Sequence, residues 1–223
     1  SIPPLDFLGS TWSEPVNLGT GVNEHAGEYA PSLTSDELTL VFTSNRRGQA
    51  GVGSLYMCRR ESTNEQFDAA VDLKFHGVSP CLTADGLGLL FQTGLGTPNG
   101  LDLWSATRNS ISKPFGDQMS LGSVINGDTN DGGPALSSDG LVLVYCRRPS
   151  PSSEPDLWMS RRPNVDARFG APTRLGSGVN TDASEEAPAI SADHLTLFFQ
   201  SDRPGGHGKF DIWMSRRESE DVP

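Results

Sequence analysis

Four stretches of this sequence superimpose without a gap: PSLTSDELTLVFTS (31–44), PCLTADGLGLLFQT (80–93), PALSSDGLVLVYCR (134–147) and PAISADHLTLFFQS (188–201). Each reads Pro, a small residue, Leu or Ile, Ser or Thr, one free position, Asp, and then an alternating apolar strand carrying an aromatic near its end. Successive prolines stand 49, 54 and 54 residues apart. A unit of that size with several short strands cannot bury both of its faces alone, and stacking such units side by side is what completes the core of a propeller.

Each first block is followed by a second, SLYMCRR (54–60), DLWSATR (102–108), DLWMSRR (156–162) and DIWMSRR (211–217), and then by a third holding an aromatic and a Leu: 67–73, 115–121 and 169–175. No third block follows DIWMSRR. The missing copy is TWSEPVNLG (11–19), where Trp12 stands in the place of Phe67, Phe115 and Phe169. The expected fold is therefore all-β: one four-bladed β-propeller with four antiparallel strands per blade. Its blades span about 27–73, 77–121, 130–175 and 184–217, and the N-terminal strand 11–19 joins the C-terminal blade to close the ring. Asp-Gly at 85–86 and 139–140 marks the first hairpin of two units. Asp36-Glu37 and Asp193-His194 lack the glycine, so those turns require another geometry or carry strain.

The 25 glycines and 16 prolines among 223 residues agree with many turns and short strands. A net charge of −11 repels phosphate backbones and anionic headgroups, which argues against nucleic acid as a partner. No apolar run approaches the ~18–20 residues of a membrane span, so membrane insertion is not expected. Cys58, Cys81 and Cys146 fall in different units, with no CxxC among them, and read as small buried apolar residues rather than as disulfides or zinc ligands.

The run PAISADHLTLFFQSDRPGGHGKFDIWMSRR (188–217) resembles the TolB-type, WD40-like β-propeller repeat of bacteria, and the likeness extends over roughly 11–217 in four copies. It implies the propeller fold and a periplasmic or exported setting, with a cytoplasmic one as the alternative. It implies little about function, since folds of this kind host many. The copies depart from the pattern at S-x-R, which is clear only at Ser44/Arg46 and Ser201/Arg203.

In propellers that resemble this one, the loops entering strand A gather at the channel mouth. Here Asn23, Asn126 and Asn180 each stand eight residues before a blade proline, and Glu28, Asp131 and Glu185 each stand three before it. Together with Arg46, Arg203 and His76, these are the candidate binding residues. Leu18, Leu121 and Leu175 lie 13 residues before their prolines but Leu73 only seven before Pro80, so a notch is expected at the second unit. Converging carboxylates favour a cation, and Asp128, Asp131 and Glu185 are the candidate calcium ligands, although DTNDGG (128–133) breaks the calcium-loop pattern at its fifth position. No other cofactor is expected: GHGK (206–209) lacks the phosphate-loop spacing, and no zinc pair or G-x-S-x-G occurs.

Two readings of function stay open. The first is a non-catalytic binding or scaffold module for a protein, peptide or glycan, acting as a monomer or as part of a larger multidomain protein. The second is a carbohydrate-active enzyme, hydrolase or lyase, using carboxylates at the channel mouth. Pseudo-equivalent acids in successive blades suit repetition better than divided acid and base roles, which favours the first.

Overall fold

The computed structural model describes residues 15–47, 53–95 and 100–219. It contains four antiparallel sheets set side by side as the blades of a propeller. Blade 1 is β1 (Glu28–Leu33), β2 (Thr39–Ser44), β3 (Ser54–Arg59) and β4 (Val71–His76). Blade 2 is β5 (Val78–Leu82), β6 (Gly88–Thr93), β7 (Asp102–Thr107) and β8 (Met119–Ser120). Blade 3 is β9 (Asn130–Leu136), β10 (Val142–Arg148), β11 (Asp156–Arg161) and β12 (Thr173–Arg174). Blade 4 holds β13 (Glu185–Ile190), β14 (Thr196–Ser201) and β15 (Asp211–Arg216). Each sheet runs in sequence order, so β1, β5, β9 and β13 are innermost, and each of them packs on the next.

The conserved geometry of each first hairpin follows from its Ser/Thr and Asp. In blade 1 the Thr34 hydroxyl donates to Asp36 Oδ1 (2.6 Å) and that same oxygen accepts the Leu38 N–H (2.9 Å). Thr83/Asp85, Ser137/Asp139 and Ser191/Asp193 repeat the arrangement. The residue after the Asp takes positive φ in all four turns: Gly86 (69°), Gly140 (73°), Glu37 (61°) and His194 (59°). The turns without glycine thus keep the common geometry and carry the left-handed strain.

A second strained position precedes every blade proline, where the innermost strand bulges. Ala30 (φ 51°), Ser79 (52°), Gly133 (57°) and Ala187 (48°) all occupy it. Only Gly133 has the residue that the conformation favours. Ala187→Gly is expected to stabilise the fold by about 0.5–1 kcal/mol, read from the urea midpoint at unchanged slope.

The core lies between blades. Val41, Leu55, Leu89 and Phe91 pack between blades 1 and 2; Leu90, Leu103, Leu143 and Tyr145 between blades 2 and 3; Val142, Val144, Leu157 and Phe199 between blades 3 and 4. In blades 1 to 3 the last arginine of the second block lies over the aromatic of the third. Arg60, Arg108 and Arg162 sit 4.7, 4.6 and 4.6 Å from the ring centroids of Phe67, Phe115 and Phe169.

Two expectations need correction. Among the described residues the gap expected at the second unit is filled, because β4 runs on to His76 and brings Phe75 into the blade 1–2 core, stacked on Phe91 with centroids 5.6 Å apart. Phe75 thereby does what Ile125 and Val179 do at the next two junctions, where the longer connection supplies the filling residue. Gly77 lets the chain turn straight into β5: a Cβ there would lie 2.6 Å from the Phe91 ring and 2.8 Å from the Gln92 carbonyl. Gly77→Ala is expected to cost about 1–3 kcal/mol in chemical denaturation, as overpacking against backbone does.

The closing strand is the other correction. Among the described residues the fourth sheet has three strands, and no contact joins β13 or β15 to β1 comparable to those between neighbouring blades. Of the expected latch, 11–14 with Trp12 lie outside the described residues. Residues 15–19 form no strand, and Asn17 Oδ1 instead accepts the Gly19 N–H (2.8 Å) and the Asn23 amide (3.1 Å). The physical reason lies in the outermost strands, which are only two residues long in blades 2 and 3. So short a strand adds few ladder bonds against the entropy of bringing distant chain segments together.

Candidate functional site

The residues singled out at the channel mouth form a set of repeated internal clamps. In blade 1 Arg46 pairs with Glu28 Oε1 (3.3 Å) and Glu24 Oε1 (3.0 Å), donates to the Val22 carbonyl, and lies 4.3 Å from the Tyr56 ring centroid. In blade 4 Arg203 pairs with Glu185 Oε1 (3.0 Å), donates to the Val179 carbonyl and sits between Phe199 and Trp213. Ser44 and Ser201 each bridge their Glu and their Arg.

Blade 3 lacks S-x-R but keeps the clamp. Arg147, standing where Ser44 and Ser201 stand, reaches Asp131 Oδ1 at 2.6 Å, donates to the Ile125 carbonyl and lies 4.9 Å from the Trp158 ring. A shorter acid is matched by an arginine two positions earlier. Sequence reasoning missed Arg147 because the repeat register puts it at a serine. Burial pushes the Asp131 carboxyl up from its ordinary value, against the downward pull of Arg147, Thr129 and the Gly127 N–H.

The carboxylates of Asp131 and Glu185 are therefore fully buried and spend their oxygens inside their own blades. Asn126 is also built in: its Oδ1 accepts the Leu103 N–H (2.9 Å) and its amide donates to the Leu103 carbonyl (2.8 Å). Asn180 grips Leu157 in the same way at 2.8 and 2.9 Å. Both side chains thus tie a connection to the third strand of the preceding blade. Asn23, at the corresponding place before blade 1, bonds only within its own connection, to Asn17. His76 lies on β4 with Nδ1 3.5 Å from Ser54 Oγ. Asp128 is exposed, and among the described residues no grouping of three or more His, Cys, Asp or Glu side chains could hold a metal ion.

The channel side of the blades holds a different constellation. A cleft of about 460 Å³ opens between β5, β9 and β13, lined by Gln92, Asn130, Arg148, Glu186 and Gln200. Two of these residues break the repeat. Arg148 stands where the other units have Asn45, Gly94 and Asp202, and Glu186 where they have Tyr29, Val78 and Gly132. Arg148 approaches Glu186 Oε1 at 3.9 Å across the blade 3–4 junction, and Gln200 Nε2 donates to Glu186 Oε2 (3.2 Å). Gln92 Oε1 accepts the Gly133 N–H, and Asn130 Oδ1 accepts the Leu101 N–H (2.8 Å). Burial, helped by the charge of Glu186, pushes the Cys146 thiol up to about 12, which leaves it protonated and a poor nucleophile. A comparison of the four units for a charge present in one alone would have marked Glu186, and the same comparison for a positive charge would have marked Arg148.

No family model matches the chain, and no curated protein does. Solved structures do. TolB from Acinetobacter baumannii superposes with a TM-score of 0.57 at 20% identity, over 82% of this chain and 39% of that one. A putative TolB from Agrobacterium tumefaciens gives 0.58 at 17% identity, over 86% of this chain and 58% of that one. The fold is that of the TolB-type propeller. Such a likeness is one of fold, and it is shared with an oligogalacturonate lyase from Vibrio parahaemolyticus (TM-score 0.52, 14% identity, 91% of this chain and 53% of that one). The chain spans about two fifths to three fifths of the lengths of these TolB-type and lyase structures.

Proposed function

We propose that this TolB-type set of blades is a non-catalytic binding module that holds an extended polar peptide in the channel-side cleft. The lining carries the reading: three side-chain amides, each able to donate and accept, surround one Arg–Glu pair that is partly exposed on both sides. Amides of this kind match the alternating N–H and C=O groups of a peptide backbone, and the ion pair can exchange partners with charged side chains of a ligand. Among the described residues the cleft is lined by amides, the ion pair and small side chains rather than by an aromatic on which a sugar ring would stack.

Less favours the carbohydrate-active alternative. That chemistry needs an acid and a base or nucleophile free to act. Asp131 is engaged by Arg147 and Glu185 by Arg203, which leaves Glu186 as the carboxylate lining the cleft with partial exposure.

The test is selection of binders from a displayed random-peptide library, followed by titration calorimetry on the best of them. Glu186→Ala and Arg148→Ala are expected to weaken binding about tenfold each, the weight of one charge-assisted contact, with unchanged melting temperature. Failure to select any peptide, or peptides that bind both variants as tightly as the parent, would refute the reading.

A further inference from the structure

On the second and third strands of each blade alternate residues face the following blade, and the strand register sets them in pairs. Blade 1 has Thr39 opposite Arg59 and Val41 opposite Met57; blade 3 has Val142 opposite Arg161 and Val144 opposite Met159. Met57 and Met159 pack against the cores of their junctions. Arg59 reaches across to blade 2, where its Nη1 donates to the Ile111 carbonyl (3.2 Å), and Arg108 Nη1 lies 3.5 Å from the Met57 sulfur. Blade 2 departs from this pattern. Its pairs are Gly88 opposite Thr107 and Leu90 opposite Ser105, so the methionine and the arginine are both replaced by short side chains.

At the junction of blades 2 and 3 these short residues line a cavity of about 490 Å³, which shares no lining residue with the channel-side cleft. Leu90, Leu121 and Phe169, members of the junction's apolar cluster, line it too. Two acceptors that Arg59 serves at the first junction recur here. The Ile111 carbonyl accepts from both Arg59 and Arg108 (3.1 Å), whereas its counterpart Val165 accepts from Arg162 (2.7 Å), and Thr107 is too short to bring the second donor. The Thr34 hydroxyl, the Leu38 N–H and the charge of Arg59 hold the Asp36 carboxyl below its ordinary value. The corresponding carboxylate of blade 2, Asp85, has Thr107 in the place of that cation. Both Val165 and Asp85 line the cavity.

We propose that this cavity binds an alkylguanidinium group, carried by a free solute or by the arginine side chain of a partner chain. The aliphatic stem lies against Leu90, Leu121 and Phe169, where a methionine packs at the neighbouring junctions. The guanidinium donates to the Val165 carbonyl and sits beside Asp85, as Arg59 does at Ile111 and Asp36. Arg59 and Arg108 show that two guanidinium groups can share one such carbonyl. Arg162 is already spent on the Gly140 (2.7 Å) and Val165 carbonyls and lies over Phe169. Asp139 and Asp166 add negative charge to the lining, against Arg168. The planar fork of a guanidinium serves a carbonyl and a carboxylate at once, which the point charge of an ammonium does less well.

Titration calorimetry with n-butylguanidinium and with an acetylated, amidated Gly-Arg-Gly tripeptide is the test. At least one is expected to bind with a dissociation constant of about 0.1–1 mM, as a ligand of so few atoms allows. The tighter of the two identifies the source of the group. The matching ammonium ligands, n-pentylammonium and the lysine tripeptide, should bind at least about threefold more weakly. Thr107→Arg, at an exposed position, supplies the guanidinium from within, and Ser105→Met fills the place of the stem. Each should weaken binding at least about tenfold at an unchanged or higher melting temperature. No binding of either guanidinium ligand, ammonium ligands bound as tightly, or binding indifferent to both substitutions would each overturn the proposal.

Discussion

Arg147→Met is expected to destabilise the protein by about 3–5 kcal/mol, because it leaves the carboxylate of Asp131 buried without its cation. Asp131 is wholly inaccessible, with Oδ1 held by Arg147 and Oδ2 by the Thr129 hydroxyl (3.1 Å). Two hydrogen-bond donors cannot replace a guanidinium that also spans to Ile125 and covers Trp158. For a chain of this size the loss corresponds to a melting temperature lower by roughly 10 °C.

The pH dependence gives this prediction a distinctive signature. Asp131 already has a carboxyl raised above the ordinary 3.8, so the folded state holds its proton more tightly than the unfolded chain does. Such a group costs stability as pH rises above 3.8, and the cost disappears as pH falls and the carboxyl is protonated in both states. Removing Arg147 lifts the folded value further and enlarges the cost. The variant should therefore be most impaired at neutral pH and regain stability relative to the parent toward pH 4. Arg147→Met combined with Asp131→Asn should recover most of the loss at neutral pH. A variant whose deficit is the same at every pH, and which the second change does not rescue, would show that Arg147 acts through packing alone.

Phe75→Ala is expected to cost about 3–5 kcal/mol in urea unfolding. The ring is 9% exposed and lies nearly parallel to Phe91, at an interplanar angle of 8°, within a cluster that also includes Val41, Leu55, Leu89 and Ala106. This is the one internal junction without the Leu-Gly connection, so no Ile or Val stands by to fill the space. Phe75→Leu keeps most of the volume and should cost less than about 1.5 kcal/mol. If Phe75→Ala proved no worse than Phe75→Leu, the short connection would be tolerated by collapse of the blades rather than by filling of the gap.

Fold class and blade number were legible in the chain because a repeat repeats its physics. The Ser/Thr and Asp before each hairpin make the same hydrogen bonds four times, and the aromatics of the second and third strands return to the same interblade positions. The second unit was misjudged because a deletion can be answered by lengthening a neighbouring strand, and Phe75 shows its filling role only once it is set against Phe91. At the channel mouth the spacing of Glu28, Asp131 and Glu185 was plain, but their charge suggested exposure. Whether a carboxylate faces water or an arginine depends on a partner that can stand at different positions in the repeat, as Arg46 and Arg147 do.

The sequence by itself determined that this protein is an array of four antiparallel sheets, since the period, the strand alternation and the turn chemistry are all local. Only the tertiary structure decided which acids are internal, that Arg148 and Glu186 meet across a blade junction, and that a cavity opens between blades 2 and 3 beside Ser105 and Thr107. Those outcomes depend on how the blades sit against one another. The angle between sheets is a sum of many side-chain contacts between residues far apart in the chain, and no single motif records it.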